Sequence, residues 1–113
     1  MNRTVRLELP NAAERAQVAG QVALALAIAC GMGPLTGERL RRSVEAAAAQ
    51  TGGALTLDAV AQRGWLELAL VATPDDGWAD RAVAILEPHG AVRTPSGLEV
   101  RVQRAPLRRV ADV

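Results

Sequence analysis

Glu45, the run Asp75-Asp76-Gly77, Ser43, Cys30 and His89 are the residues of this sequence whose chemistry reaches beyond packing. A carboxylate such as Glu45 can act as a general base, and the acidic run can accept hydrogen bonds from a bound ligand. Each also has a plainer use. Arg41 and Arg42 precede Glu45 by four and three residues, so the carboxylate can pair with them along one helix face. Asp75 and Asp76 suit a helix N-terminus, where the macrodipole favours negative charge. His89, between Pro88 and Gly90, suits a helix-end cap. Cys30 closes an apolar run and behaves there as a small buried hydrophobe. Ser43 and Ser96 are the only serines, and neither has a histidine near it in the sequence.

Two other groups can bind without reacting. Trp65 and Trp78 read as core anchors in a sequence poor in large side chains. Trp78, flanked by Asp76 and Asp80, has a second reading as an exposed hot spot for a protein partner. Arg39, Arg41 and Arg42 read as a solvated face, or as a docking patch for an acidic partner.

Composition narrows the classes. The chain has 113 residues, 13 basic and 12 acidic, for a formal net charge of +1. That length suits one domain, assigned to residues 1–104, with a basic tail over 105–113 that reads as flexible. Half the residues are hydrophobic, but 23 are Ala, two are Trp and none is Phe or Tyr. A core of Leu, Val, Ala and Ile follows, thin because Ala buries little area. Every basic residue is Arg, which removes phosphate-loop and Schiff-base lysines. One cysteine excludes an internal disulfide, and one histidine excludes a His-based metal cluster. Near-neutral charge and few aromatics argue against nucleic acid as the main partner. The apolar stretch from Val18 to Ile28 is broken by Gly20 and Gln21 and falls short of the roughly 20 residues of a membrane span. The first residues read as a strand, not a signal peptide, so a cytoplasmic domain is expected.

The elements follow from periodicity. Thr4 to Leu9 alternates and ends at Pro10, a first strand. Asn11 and Glu14 make a capping box for a first helix running to Cys30, with Val18, Val22, Leu26 and Ala29 as its apolar stripe. Gly31 to Pro34 stops it. Thr36 caps a second helix over 37–50, with Leu40, Val44 and Ala47/Ala48 on one face. Ala54 to Ala61 and Trp65 to Ala72 form a hairpin about Gln62-Arg63-Gly64. After the turn at Pro74 to Gly77, Asp80 to Glu87 is a third, short helix. Ala91 to Thr94 and Leu98 to Gln103 close as a last hairpin. The order βααββαββ predicts an α/β two-layer sandwich, a mixed and mostly antiparallel sheet with three helices on one face.

That order and two motifs resemble the histidine-kinase-like ATPase superfamily, in particular bacterial anti-sigma-factor serine kinases, over Thr4 to Gln103. Ser43-Val44-Glu45-Ala46 looks like the start of the family's Glu-x-x-x-Asn motif, with Glu45 in the place of the catalytic Glu. Ala49 stands where the magnesium-binding Asn belongs, and an alanine methyl offers magnesium no oxygen. Asp75-Asp76-Gly77-Trp78-Ala79 is similar to the Asp-x-Gly-x-Gly motif, with Asp75 in the adenine-reading place and Gly77 at the first glycine. The third helix then begins with no lid and no glycine-rich phosphate turn. The resemblance thus implies a scaffold without catalysis or cofactor, a pseudoenzyme that grips another protein such as a sigma factor or an anti-sigma antagonist. Glu45 would be a remnant, and Trp78, Arg39, Arg41 and Arg42 the contact residues. One alternative is an active or nucleotide-sensing serine kinase holding ATP, with magnesium, near Asp75 and Gly77. The other is a structural module, dimerising through the Ala-rich helices or binding a small molecule.

Overall fold

The computed structural model describes residues 3–10 and 13–103. They form an α/β fold of three α-helices and one five-stranded sheet. In chain order the elements are β1 (Arg3–Leu9), α1 (Arg15–Ala29), α2 (Pro34–Ala49), β2 (Ala54–Gln62), β3 (Trp65–Thr73), α3 (Trp78–Leu86), β4 (Val92–Arg93) and β5 (Leu98–Gln103). A single 3-10 turn, Glu87–His89, follows α3. The basic tail and Asn11 of the expected capping box lie outside the described residues.

Alternation decides which side of each strand is buried. Leu55, Leu57, Ala59 and Ala61 of β2 and Leu66, Leu68, Leu70 and Ala72 of β3 are buried, while their neighbours in sequence are more open. The register aligns these residues into rows. One row runs Leu7, Leu57, Leu70, Leu98, and the next Val5, Ala59, Leu68, Val100. They share one hydrophobic cluster with the buried residues of all three helices. The other face of the sheet is polar, with Arg6 3.8 Å from Asp58 and Arg101 3.7 Å from Glu67.

The sheet is not mixed, as the sequence suggested. Its order is β1-β2-β3-β5-β4, and every pairing is antiparallel. Two helices between β1 and β2 return the chain in the opposite direction. The strands that run parallel to β3 are β1 and β4, and β2 and β5 respectively separate them from it.

Helix boundaries moved for local reasons. α2 begins at Pro34, not after Thr36, with Gly33 as its extended N-cap residue; proline at a first helical position has its φ already set and no amide to waste. α1 ends as expected. Gly31 is left-handed (φ 84°), its amide donates to the Ile28 carbonyl, and the Met32 amide donates to the Ala27 carbonyl, both at 3.0 Å. That is the Schellman arrangement. α3 starts two residues before the expected Asp80, at Trp78, directly behind left-handed Gly77 (φ 81°).

The buried face of α1 also differs. Ala19, Gly20, Ala23 and Ala27 point inward, whereas Val18 is 40 % exposed and Val22 and Leu26 are half-buried. The reason is the closeness of α2. A Cβ on Gly20 would come within 3.0 Å of the Arg41 carbonyl oxygen, and one on Gly37 within 3.0 Å of Leu24 Cδ1. Only small side chains fit such a seam. Arg15, buried at the start of α1, donates through Nη1 to the Gly53 carbonyl and through Nη2 to the Thr51 carbonyl. It thereby pins the loop between α2 and β2.

Candidate functional site

Glu45 lies on the α2 surface among arginines of its own helix. Its Oε2 accepts from Arg41 Nη1 at 2.7 Å. Arg41 Nε donates to both oxygens of Glu38 at 3.0 Å, and that bond holds the Glu38 carboxyl below its ordinary pKa range. Arg41 is thus satisfied within α2, its side chain only 21 % exposed. As a docking residue it is a weak choice, because a partner would have to displace two carboxylates. Arg42, 74 % exposed, reaches Glu38 at 3.5 Å. Ala49, in the expected metal-ligand place, is exposed and brings no donor.

Asp75 sits at the turn into α3, and its carboxylate is engaged. Oδ1 accepts from the Ala79 amide at 3.1 Å, and the Asp75 carbonyl accepts from the Trp78 amide at 2.7 Å. These bonds satisfy amides that the first helical turn leaves open. Arg93 of β4 comes within 4.0 Å of Asp75 Oδ2 and donates to Asp80 Oδ1 at 3.0 Å. Asp76 (φ 48°) and Gly77 (φ 81°) are both left-handed, which reverses the chain into the helix. A cleft of about 260 Å³ lies here, lined by Thr51, Gly52, Gly53, Pro74, Asp75, Asp76 and Arg81. Gly77 is not among its lining residues.

Trp78 corrects the expectation of an exposed hot spot. It has no exposed surface, and its Nε1 donates to the Ala47 carbonyl at 2.7 Å. In a core of alanines and leucines the indole is the largest fully buried side chain, so it fills volume that small residues leave open. The bond also fastens the first turn of α3 to the last turn of α2. Trp65, by contrast, is only half-buried, on the polar side of the sheet.

Among the described residues, Glu45 and Asp75 line different clefts. Glu45 borders a shallow groove of about 350 Å³ with Arg41, Arg42, Ala46 and Ala49, and that groove shares no residue with the acidic-turn cleft. Ala49, at the position that the resemblance assigns to the metal ligand, carries only a methyl, and the Trp78 indole packs at the seam of α2 and α3. Among the described residues there is also no group of three or more His, Cys, Asp or Glu able to hold a metal ion.

One juxtaposition escaped the sequence reading. Ser43 Oγ and His89 Nε2 lie 3.1 Å apart, joining residues 46 positions apart in the chain. α3 runs back along α2 from Ala47 towards its first half, which delivers the 3-10 turn to Ser43. Burial pushes the His89 imidazole below its ordinary pKa; a hydrogen bond to the Arg39 backbone opposes this, and the Arg39 charge adds to it. The helical spacing of Thr36, Arg39 and Ser43 was visible in the sequence; their meeting with His89 was not. Cys30 is buried, with its thiol pKa raised by desolvation, as for a packed hydrophobe.

No protein-family model matches the chain, and no curated protein matches it either. Among the described residues no helix is long and apolar enough to cross a membrane.

Proposed function

We propose that this chain is a non-catalytic domain of signalling or transcription control, acting by protein–protein contact on a degenerate histidine-kinase-like ATPase scaffold. In this reading the sheet and helices make two layers, with the three helices on one face, and the domain works in the cytoplasm. The observation that carries it is Trp78. The residue between the two glycine places of the nucleotide motif is an indole packed inside the fold and bonded to the α2 backbone. Ala49 and the helix-capping use of Asp75 support the same conclusion. The partner is a protein with an acidic surface, a sigma factor or an anti-sigma antagonist being the class that the resemblance implies. Arg39 and Arg42 are the contacts that remain open to it.

Isothermal titration of the chain with Mg-ATP tests this. No heat of binding is expected, and tight magnesium-dependent binding overturns the reading. Partner capture is tested by Arg39→Glu with Arg42→Glu, which is expected to abolish association while leaving the melting temperature within a few degrees.

The second reading, nucleotide sensing at the acidic turn, draws on the cleft beside Asp75 and the glycine pair Gly52-Gly53. It requires adenine nucleotide to bind and Asp75→Asn to weaken that binding.

A further inference from the structure

We propose that the cleft between α2 and the Pro88–His89 turn binds a phosphate monoester. The cleft measures about 470 Å³ and is lined by Thr36, Arg39, Arg42, Ser43, Pro88 and His89. These residues carry two guanidinium groups, two hydroxyls and an imidazole, and no carboxylate is among the residues that line the cleft. Such a set matches an oxyanion, because guanidinium forks bind phosphate oxygens in pairs and the Thr36 hydroxyl can donate to one left over.

The charges are available. Among the described residues no carboxylate lies within 4.0 Å of the Arg39 guanidinium, and Arg42 touches only Glu38, at 3.5 Å. Ser43 and His89 hold each other at 3.1 Å, which fixes two polar groups on the cleft wall before any ligand arrives. A carboxylate ligand would occupy one arginine and leave the remaining donors unused. A phosphoryl group has three peripheral oxygens to divide among them. The volume exceeds that of inorganic phosphate, leaving room for the organic part of an ester against the ring of Pro88.

The site draws on Arg39 and Arg42 of the proposed docking patch but requires no protein partner. It is also independent of the nucleotide motifs, since neither Glu45 nor Asp75 lines it. Failure here therefore leaves the proposed function standing, and the reverse.

The test is titration of the full chain, followed by amide NMR, with glycerol phosphate, inorganic phosphate and, at matched ionic strength, chloride. Saturable shifts at Arg39, Ser43 and His89 are expected with glycerol phosphate. Arg39→Gln or Arg42→Gln is expected to weaken binding about tenfold each, the worth of one charged hydrogen bond. Arg63→Gln, on the exposed β2–β3 turn, is expected to change nothing. Shifts that never saturate, that chloride reproduces, or that Arg63→Gln reduces as much as Arg39→Gln overturn the proposal. Binding of inorganic phosphate without the ester marks an adventitious ion only and overturns it as well.

Discussion

Replacing the Trp78 indole separates its hydrogen bond from its volume. Trp78→Phe removes the donor to the Ala47 carbonyl, which still accepts from the Gln50 amide at 3.1 Å. The carbonyl is not orphaned, so the loss is expected near about 1 kcal/mol. Trp78→Ala leaves a cavity where α2 and α3 meet and is expected to cost about 3–5 kcal/mol. Urea denaturation checks both, and equal losses would mean that the bond and not the packing holds the seam. His89 gives the residue scale a second prediction. Arg39, Arg42 and Ser43 face it from α2, and exposed Glu87 precedes it in its own turn. Its folded pKa is lowered, chiefly by burial, so the unfolded chain takes up the proton first as pH falls. Stability is therefore full above the ordinary imidazole value of about 6.5 and declines below it towards the lower folded value. Urea midpoints between about pH 7.5 and 5.5 are expected to fall in the native chain and to fall less in His89→Asn.

At the scale of elements, the strands were readable and the helix seam was not, for one physical reason. A strand buried on one face repeats every two residues, and leucines at 66, 68 and 70 announce that face by size. The α1 face against α2 is chosen the opposite way. Its members are the smallest residues available, Ala19, Gly20, Ala23 and Ala27. Any reading that ranks residues by hydrophobicity turns the helix towards Val18 and Val22. The Ser43–His89 contact was beyond the sequence because it depends on the direction in which α3 crosses α2. Asp75 was half legible: an acidic residue before a helix is both a cap and a ligand-binding motif, and only the Ala79 amide distinguishes the uses. Element junctions also carry the sharpest stability prediction. Gly97 donates its amide to Thr94 Oγ1 at 3.0 Å and accepts from Arg93 Nη1 at 2.8 Å, and a Cβ there would overlap the Leu70 carbonyl oxygen. Gly97→Ala must push β5 from β3 or open the turn, at about 1–3 kcal/mol. A thermal melt reads this directly, and an unchanged midpoint would show that the turn yields freely.

At the scale of the whole molecule, the question is whether one residue or the entire arrangement separates this chain from a nucleotide-binding domain. Under the proposed reading the answer is distributed. A methyl occupies the metal-ligand place at Ala49, the Trp78 indole fills the seam, and Asp75 is committed to the α3 amide. The three sites lie on α2, α3 and the turn between β3 and α3, so repairing one leaves two unrepaired. Ala49 is exposed on α2, and asparagine there costs only helix propensity, about 0.7 kcal/mol at most. Ala49→Asn is therefore a fair test of sufficiency, because the variant folds and presents the missing oxygen. It is expected to show no heat with Mg-ATP and no nucleotide-dependent rise in melting temperature, whereas a ligand at a hundred times its dissociation constant would add about 2.7 kcal/mol. If that single substitution confers magnesium-dependent binding, the scaffold around it was open all along, and the loss of function would reduce to one missing amide.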